Sequence, residues 1–248
     1  MPQKKKTPAA VAAVTMARLR AMADHERALQ VQKYFKETVR SFGVGSPQVR
    51  LLARELREAT RADWSVRDAM SLCDLLFQRP ELEAKSVAAL LLLGYQKDFP
   101  KELFRKTRAW LERDLLDNWA SVDIFCPQAL GTLLARHPEL LATIETWAAH
   151  PNRWVRRASL VAFLKLVKKE EYLDAAYRMA ARHFATRDDL VQKAAGWLLR
   201  EAGKRDRRRL ETFLLAHGPA VPRTTLRYAI ERFPEKRRGE LLRLTRGK

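Results

Sequence analysis

Three short stretches of the chain set a tryptophan beside charge at helical spacing. In Asp117-Asn118-Trp119-Ala120-Ser121-Val122-Asp123, Trp119 and Asp123 are four residues apart, so a helix carries them one above the other on one face. Pro151-Asn152-Arg153-Trp154-Val155-Arg156-Arg157 opens a helix with Arg157 one turn after Trp154. In Lys193-Ala194-Ala195-Gly196-Trp197-Leu198-Leu199-Arg200-Glu201 the indole follows a glycine, whose missing Cβ lets a neighbour approach closely. Trp119 and Arg157 are 38 residues apart, and Arg157 and Trp197 are 40 apart. In a repeat protein with units of that length such positions are equivalent and project onto one surface. Packing explains a lone tryptophan, and a solvated face explains the Arg156-Arg157 pair. A core alone, however, predicts no charged residue in register with the two indoles.

On such a strip Arg and Lys hold phosphates. Indole faces stack on sugars or bases, or attract a cation. One carboxylate stabilises an oxocarbenium-like sugar cation or orients water towards it. Ordinary glycoside hydrolysis needs two carboxylates because a poor leaving group must be protonated. A leaving base that is already positively charged, such as an N-alkylated purine, needs no acid, and one aspartate is then enough.

The elements that must position these groups read as helices almost throughout. Leu51, Leu52, Leu56 and Ala59 mark one stripe at a period of 3.6, Leu72, Leu75 and Leu76 another, and Leu210, Phe213 and Leu214 a third. No segment alternates as a half-buried strand, and 9 glycines are few for sandwiches, barrels or dinucleotide folds. Pro47, Pro80, Pro100, Pro138, Pro151, Pro219 and Pro234 punctuate the pattern, several opening the next helix. Segments Ser46–Arg79, Pro80–Leu116, Asp117–His150, Pro151–Thr186 and Arg187–Gly218 each have room for two helices, the size of a HEAT-like unit. The expectation is an all-α, right-handed α-solenoid of about six HEAT-like helical pairs with a concave basic face. It forms a single domain over residues 1–248, with 1–10 a basic arm; a compact helical bundle is the alternative.

The 248 residues carry 48 Lys+Arg against 29 Asp+Glu, a net charge of +19, and the pI is about 10.4. Hydrophobic residues make up 47%, enough for a core, which excludes a disordered basic tail. The imbalance concerns partners: nucleic acid first, an anionic membrane surface second. Cys73 and Cys126 form no CxxC pair and no disulfide framework, which suits a reducing compartment. The longest apolar run, Val87 to Leu93, is too short for a membrane span. Lys4-Lys5-Lys6 with the Ala-rich stretch behind it imitates a secretory signal weakly, and Arg18 and Arg20 follow at once. A cytoplasmic, monomeric protein is expected.

The stretches Asn118-Trp119-x-x-Val122-Asp123, Asn152-x-Trp154-x-x-Arg157-Ala158 and Lys193-Ala194-x-Gly196-Trp197-x-Leu199-Arg200-Glu201 resemble the signature stretches of the AlkD-like family of HEAT-like-repeat DNA glycosylases for alkylated purines. Tyr34-Phe35-Lys36, then Phe42-Gly43-Val44 and Pro47, resemble that family's N-terminal segment. The likeness runs from about Ala28 to Phe233. It implies hydrolysis of the N-glycosidic bond of cationic lesions such as 7-methylguanine and 3-methyladenine in duplex DNA, without flipping the base into a pocket. By motif position Asp123 is the catalytic carboxylate, and Trp119 and Trp197 pack against the lesion-bearing backbone and sugar. Arg157 holds a phosphate or a closed-in abasic product, and Trp154, Tyr34, Lys193 and Arg156 join it in binding DNA. No metal and no organic cofactor is implied. Gly45 stands where members commonly carry Gln, which removes one polar DNA contact. The rival readings are a HEAT-like protein that binds bent, branched or damaged DNA without glycosylase chemistry, and a scaffold for an acidic protein.

Overall fold

The computed structural model describes residues 6–246. Fourteen α-helices and a few 3-10 turns, with no strand, make up the described residues. They fall into two compact units, residues 1–125 and 126–248.

The first unit holds α1 (Pro8–Ala21), α2 (His25–Gln32), α3 (Ser46–Thr60), α4 (Val66–Leu76), α5 (Leu82–Leu93), α6 (Glu102–Glu112) and the first turns of α7 (Trp119–Arg136). The second holds the rest of α7, then α8 (Leu140–Thr146), α9 (Arg153–Val161), α10 (Leu173–Arg182), α11 (Asp189–Arg205), α12 (Arg207–His217), α13 (Arg223–Ala229) and α14 (Glu235–Leu244). All five segments expected to carry two helices do so, and the all-α, HEAT-like expectation holds. Helix α1 begins at Pro8, inside the stretch read as a basic arm, and Lys4 and Lys5 lie outside the described residues.

Helix starts follow the side chains that satisfy their free amides. Thr7, Asp24, Asn152, Asp188 and Asp206 each accept from the first turn they precede. Ser65 and Asp68 form a reciprocal capping box at α4. Most helices are one-sided, but α5 is apolar nearly all round and therefore lies inside, with α3 and α4 packed on it. Beside it Trp110 meets Phe77 edge-on at 5.0 Å and Phe125 at 5.8 Å. In the second unit α9 and α13 pack on α11, and Trp147, Phe163 and Leu199 are buried.

One helix breaks a local rule. Pro127 sits inside α7; having no N–H, it cannot close the helical bond to the carbonyl of Asp123, four residues earlier.

Candidate active site

The expected site residues divide between the units. Trp119, Asp123 and Tyr34 belong to the first, and Trp154, Arg156, Arg157, Lys193 and Trp197 to the second.

In the first unit Asn118 starts α7: its Oδ1 accepts from Ser121 N at 2.9 Å, and its carbonyl accepts from Val122 N at 3.2 Å. The side chains of Trp119 and Asp123 follow one turn apart, both half-buried. Asn118 Nδ2 donates to Asp117 Oδ1 at 2.8 Å. The same oxygen lies 2.6 Å from Nζ of Lys85, a residue only 2% exposed on α5. A buried ammonium thus fixes the entrance of the helix that carries the indole and the carboxylate.

Two residues before Lys85, Glu83 is also buried. Its carboxylate accepts from Ser41 Oγ at 2.6 Å, Phe42 N at 3.0 Å and Val44 N at 3.1 Å. Gly43 within that loop has φ +75, and a Cβ there would stand 2.0 Å from the carbonyl oxygen of Asp24, so only glycine fits. Earlier in the same connection between α2 and α3, Phe35 lies with its ring on Trp119, centroids 4.9 Å apart. Between the loop, α5 and α7 lies a cavity of about 250 Å³, lined by Phe35, Val44, Arg50, Glu83, Trp119 and Ala120 among others. Tyr34 also borders it and is 76% exposed.

In the second unit three arginines of α9 converge on the start of α11. Arg153 Nε lies 2.9 Å from Asp188 Oδ2, and Arg156 Nη2 lies 3.7 Å from the same oxygen. Arg157, 6% exposed, donates to the carbonyl oxygen of Leu190. Asp188 in turn caps α11 through Leu190 N at 3.0 Å. Arg156 also donates to the carbonyls of His150 at 2.7 Å and Pro151 at 2.8 Å. So Arg156 and Arg157, read from the sequence as DNA contacts, each hold backbone and orient the helix that carries Lys193 and Trp197. Trp154 is buried at 7% exposure, with the Arg153 guanidinium 5.8 Å from its ring centroid; its indole packs the interior.

Lys193 Nζ lies 2.9 Å from Asp189 Oδ2, and that bond keeps its ammonium above the ordinary lysine range. Trp197 is half-buried. The neighbour admitted by Gly196 is α13: a Cβ would stand 2.4 Å from Tyr228 Cβ and 2.6 Å from the carbonyl oxygen of Thr225.

Sequence reasoning missed Glu83 and Lys85. Their signal was there: two charges in the first turn of the most apolar helix, where burial needs a partner.

In the first unit a half-buried indole and a half-buried carboxylate thus sit one turn apart on a braced helix, in a chain of net charge +19. No curated protein matches the chain. A solved structure described as a predicted DNA alkylation repair enzyme from Enterococcus faecalis has a TM-score of 0.74 and 22% identity, covering 86% of this chain and 98% of its own. The sequence pattern of the family described as DNA alkylation repair enzyme matches residues 15–233. With that match over most of its length, the chain belongs to the DNA alkylation repair enzyme family.

Proposed function

We propose that the protein excises positively charged N3- or N7-alkylated purines from duplex DNA by hydrolysing the N-glycosidic bond, without extruding the base. The carrying observation is Trp119 and Asp123 one turn apart at the braced start of α7, in a chain of the DNA alkylation repair family. As the bond from C1′ to the base nitrogen breaks, its electron pair neutralises the purine and the sugar becomes cationic. The carboxylate of Asp123 stabilises that cation and positions a water molecule, whose oxygen bonds to C1′ as its proton leaves to Asp123 or solvent. The indoles of Trp119 and Trp197 support the lesion strand, and Lys193 adds positive charge for the backbone. Arg157 contributes by holding α11 as well as by its charge.

The experiment is release of free 7-methylguanine from methylated duplex. Asp123→Asn should lower it by about 100-fold or more while changing duplex affinity by no more than about threefold, since the aspartate faces the sugar and not the phosphates. Excision unchanged by this substitution sinks the reading. Intact duplex binding without any base release by the wild type moves it to the DNA-binding alternative.

A further inference from the structure

Arg50, Arg54 and Arg57 on α3, and Arg61 capping its C-terminal end in helical conformation, follow one another at intervals of four, three and four residues, which keeps them on one face. Over that length the helix rises about 16 Å. Like charges one turn apart repel, so such a ladder weakens its own helix unless an anion lies along it. Internal compensation is incomplete. Glu58 serves both Arg57 at 3.0 Å and Arg61 at 3.7 Å, and Glu55 is turned to Arg18 at 2.7 Å. Among the described residues no carboxylate pairs with Arg50 or Arg54.

Three hollows run in series along this face. The cavity that contains Trp119 also contains Arg50. A second, of about 240 Å³, is lined by Arg50, Arg54, Arg57 and Leu90. The third, of about 630 Å³, is lined by Arg57, Arg61, Trp64, Tyr95 and Lys97. Tyr95 lines the last of these with its ring, its hydroxyl being buried away from solvent. Gly94 makes room for the Arg57 side chain at the end of α5: a Cβ there would stand 2.3 Å from its Cδ.

The geometry points to a track for the phosphodiester backbone of DNA, leading from the Trp119 cavity along α3 to Lys97. A duplex strand presents a phosphate about every 3.4 Å of axis, and the ladder supplies a cation each turn to meet several of them. The track binds backbone flanking the lesion and reads no bases. It rests on the reading of duplex DNA as substrate.

The test is binding of an undamaged 20-base-pair duplex, followed by fluorescence anisotropy between 50 and 200 mM KCl. The variant Arg54→Gln/Arg57→Gln/Arg61→Gln should reduce the slope of log K against log salt by about 2 to 3, close to 0.9 per phosphate lost. The single exposed substitution Arg54→Gln should reduce it by about 1, and it guards against a fold defect in the triple variant. Lys101→Gln/Arg105→Gln/Arg113→Gln, which removes equal charge around α6, should leave the slope within about 1 of wild type. An unchanged slope in the ladder variants, or an equal fall in the α6 variant, overturns the track. If the wild-type protein binds the duplex and the ladder variants keep its slope, the track alone is lost. Wild-type protein that shows no salt-dependent duplex binding loses the track together with the proposed substrate.

Discussion

Phe35 lies nearly flat on Trp119, ring centroids 4.9 Å apart and planes inclined by 20°. One face of the indole is therefore occupied by the protein itself, and a substrate meets at most the other face or the edge. Gln32 Nε2 donates to the Phe35 carbonyl at 3.3 Å, and Glu83 holds the same connection further on at Phe42 and Val44, so the stack serves as a backstop for the indole plane one turn from Asp123. Phe35→Leu keeps apolar bulk but removes the stacked ring, a contact worth about 0.5–1.5 kcal/mol. Release of 7-methylguanine should fall about 2- to 10-fold, with tryptophan fluorescence shifted and duplex affinity unchanged. Unaltered release in Phe35→Leu would show that the indole plane needs no support.

Lys85 and Asp117 form an ion pair with unequal burial: the lysine side chain is 3% exposed and the aspartate 43%. Removing the aspartate strands an ammonium in the interior, whereas removing the lysine leaves a carboxylate that water reaches. Asp117→Ala should therefore cost about 3–5 kcal/mol and Lys85→Met only about 1–2 kcal/mol, read from urea melts of the two variants. Equal costs, or the reverse order, would contradict the placement of the pair.

The same pair shows where sequence reading stops. The Trp119–Asp123 spacing, the helical pairs and the family stretches were legible because period and short motifs are local properties. That Lys85 meets Asp117 across 32 residues is a property of packing, and no spacing rule announces it. Arg156 and Arg157 were visible as charge, but a guanidinium that holds a carbonyl and one that holds a phosphate look alike in sequence. Gly196 was read as allowing close approach, and only the fold names α13 as the partner. Pro127 lay in plain view, yet a helical pattern continuing through it hid its position inside α7.

His183 gives the fold a pH dependence. It is 2% exposed, and burial, aided by Arg156 and Arg182, lowers its pKa to about 4. Ser159 Oγ donates to the carbonyl of Arg156 at 2.7 Å and so accepts from His183 Nε2 at 3.1 Å, which fits a neutral ring. The unfolded chain takes up the proton near the ordinary value of 6.5, and the folded protein only near 4. Stability is therefore unaffected by this group above pH 6.5, falls as pH drops from 6.5 to 4, and has lost about 3 kcal/mol below that. His183→Gln should flatten that part of the stability curve in urea melts at pH 7, 5.5 and 4. A variant as acid-sensitive as wild type would mean that the ring is charged in the fold.

Gly196→Ala tests whether the contact of α11 with α13 positions Trp197. In an isolated helix the change is favourable by about 1 kcal/mol. In the fold the new methyl would stand 2.4 Å from Tyr228 Cβ and 2.6 Å from a backbone oxygen of Thr225. Neither is the end of a flexible side chain, so the two helices must separate. Separation also strains the hydrogen bond from Thr225 Oγ1 to the Gln192 carbonyl, now 3.0 Å. Overpacking of this kind costs about 1–3 kcal/mol, enough to exceed the propensity gain and lower the melting temperature. Because Trp197 is the next residue, its indole turns with the displaced helix. Base release should then fall more than duplex affinity does, since the phosphates are held elsewhere as well. A melting temperature raised by Gly196→Ala, with release intact, would show that propensity outweighs the clash and that α13 does not set the position of the indole.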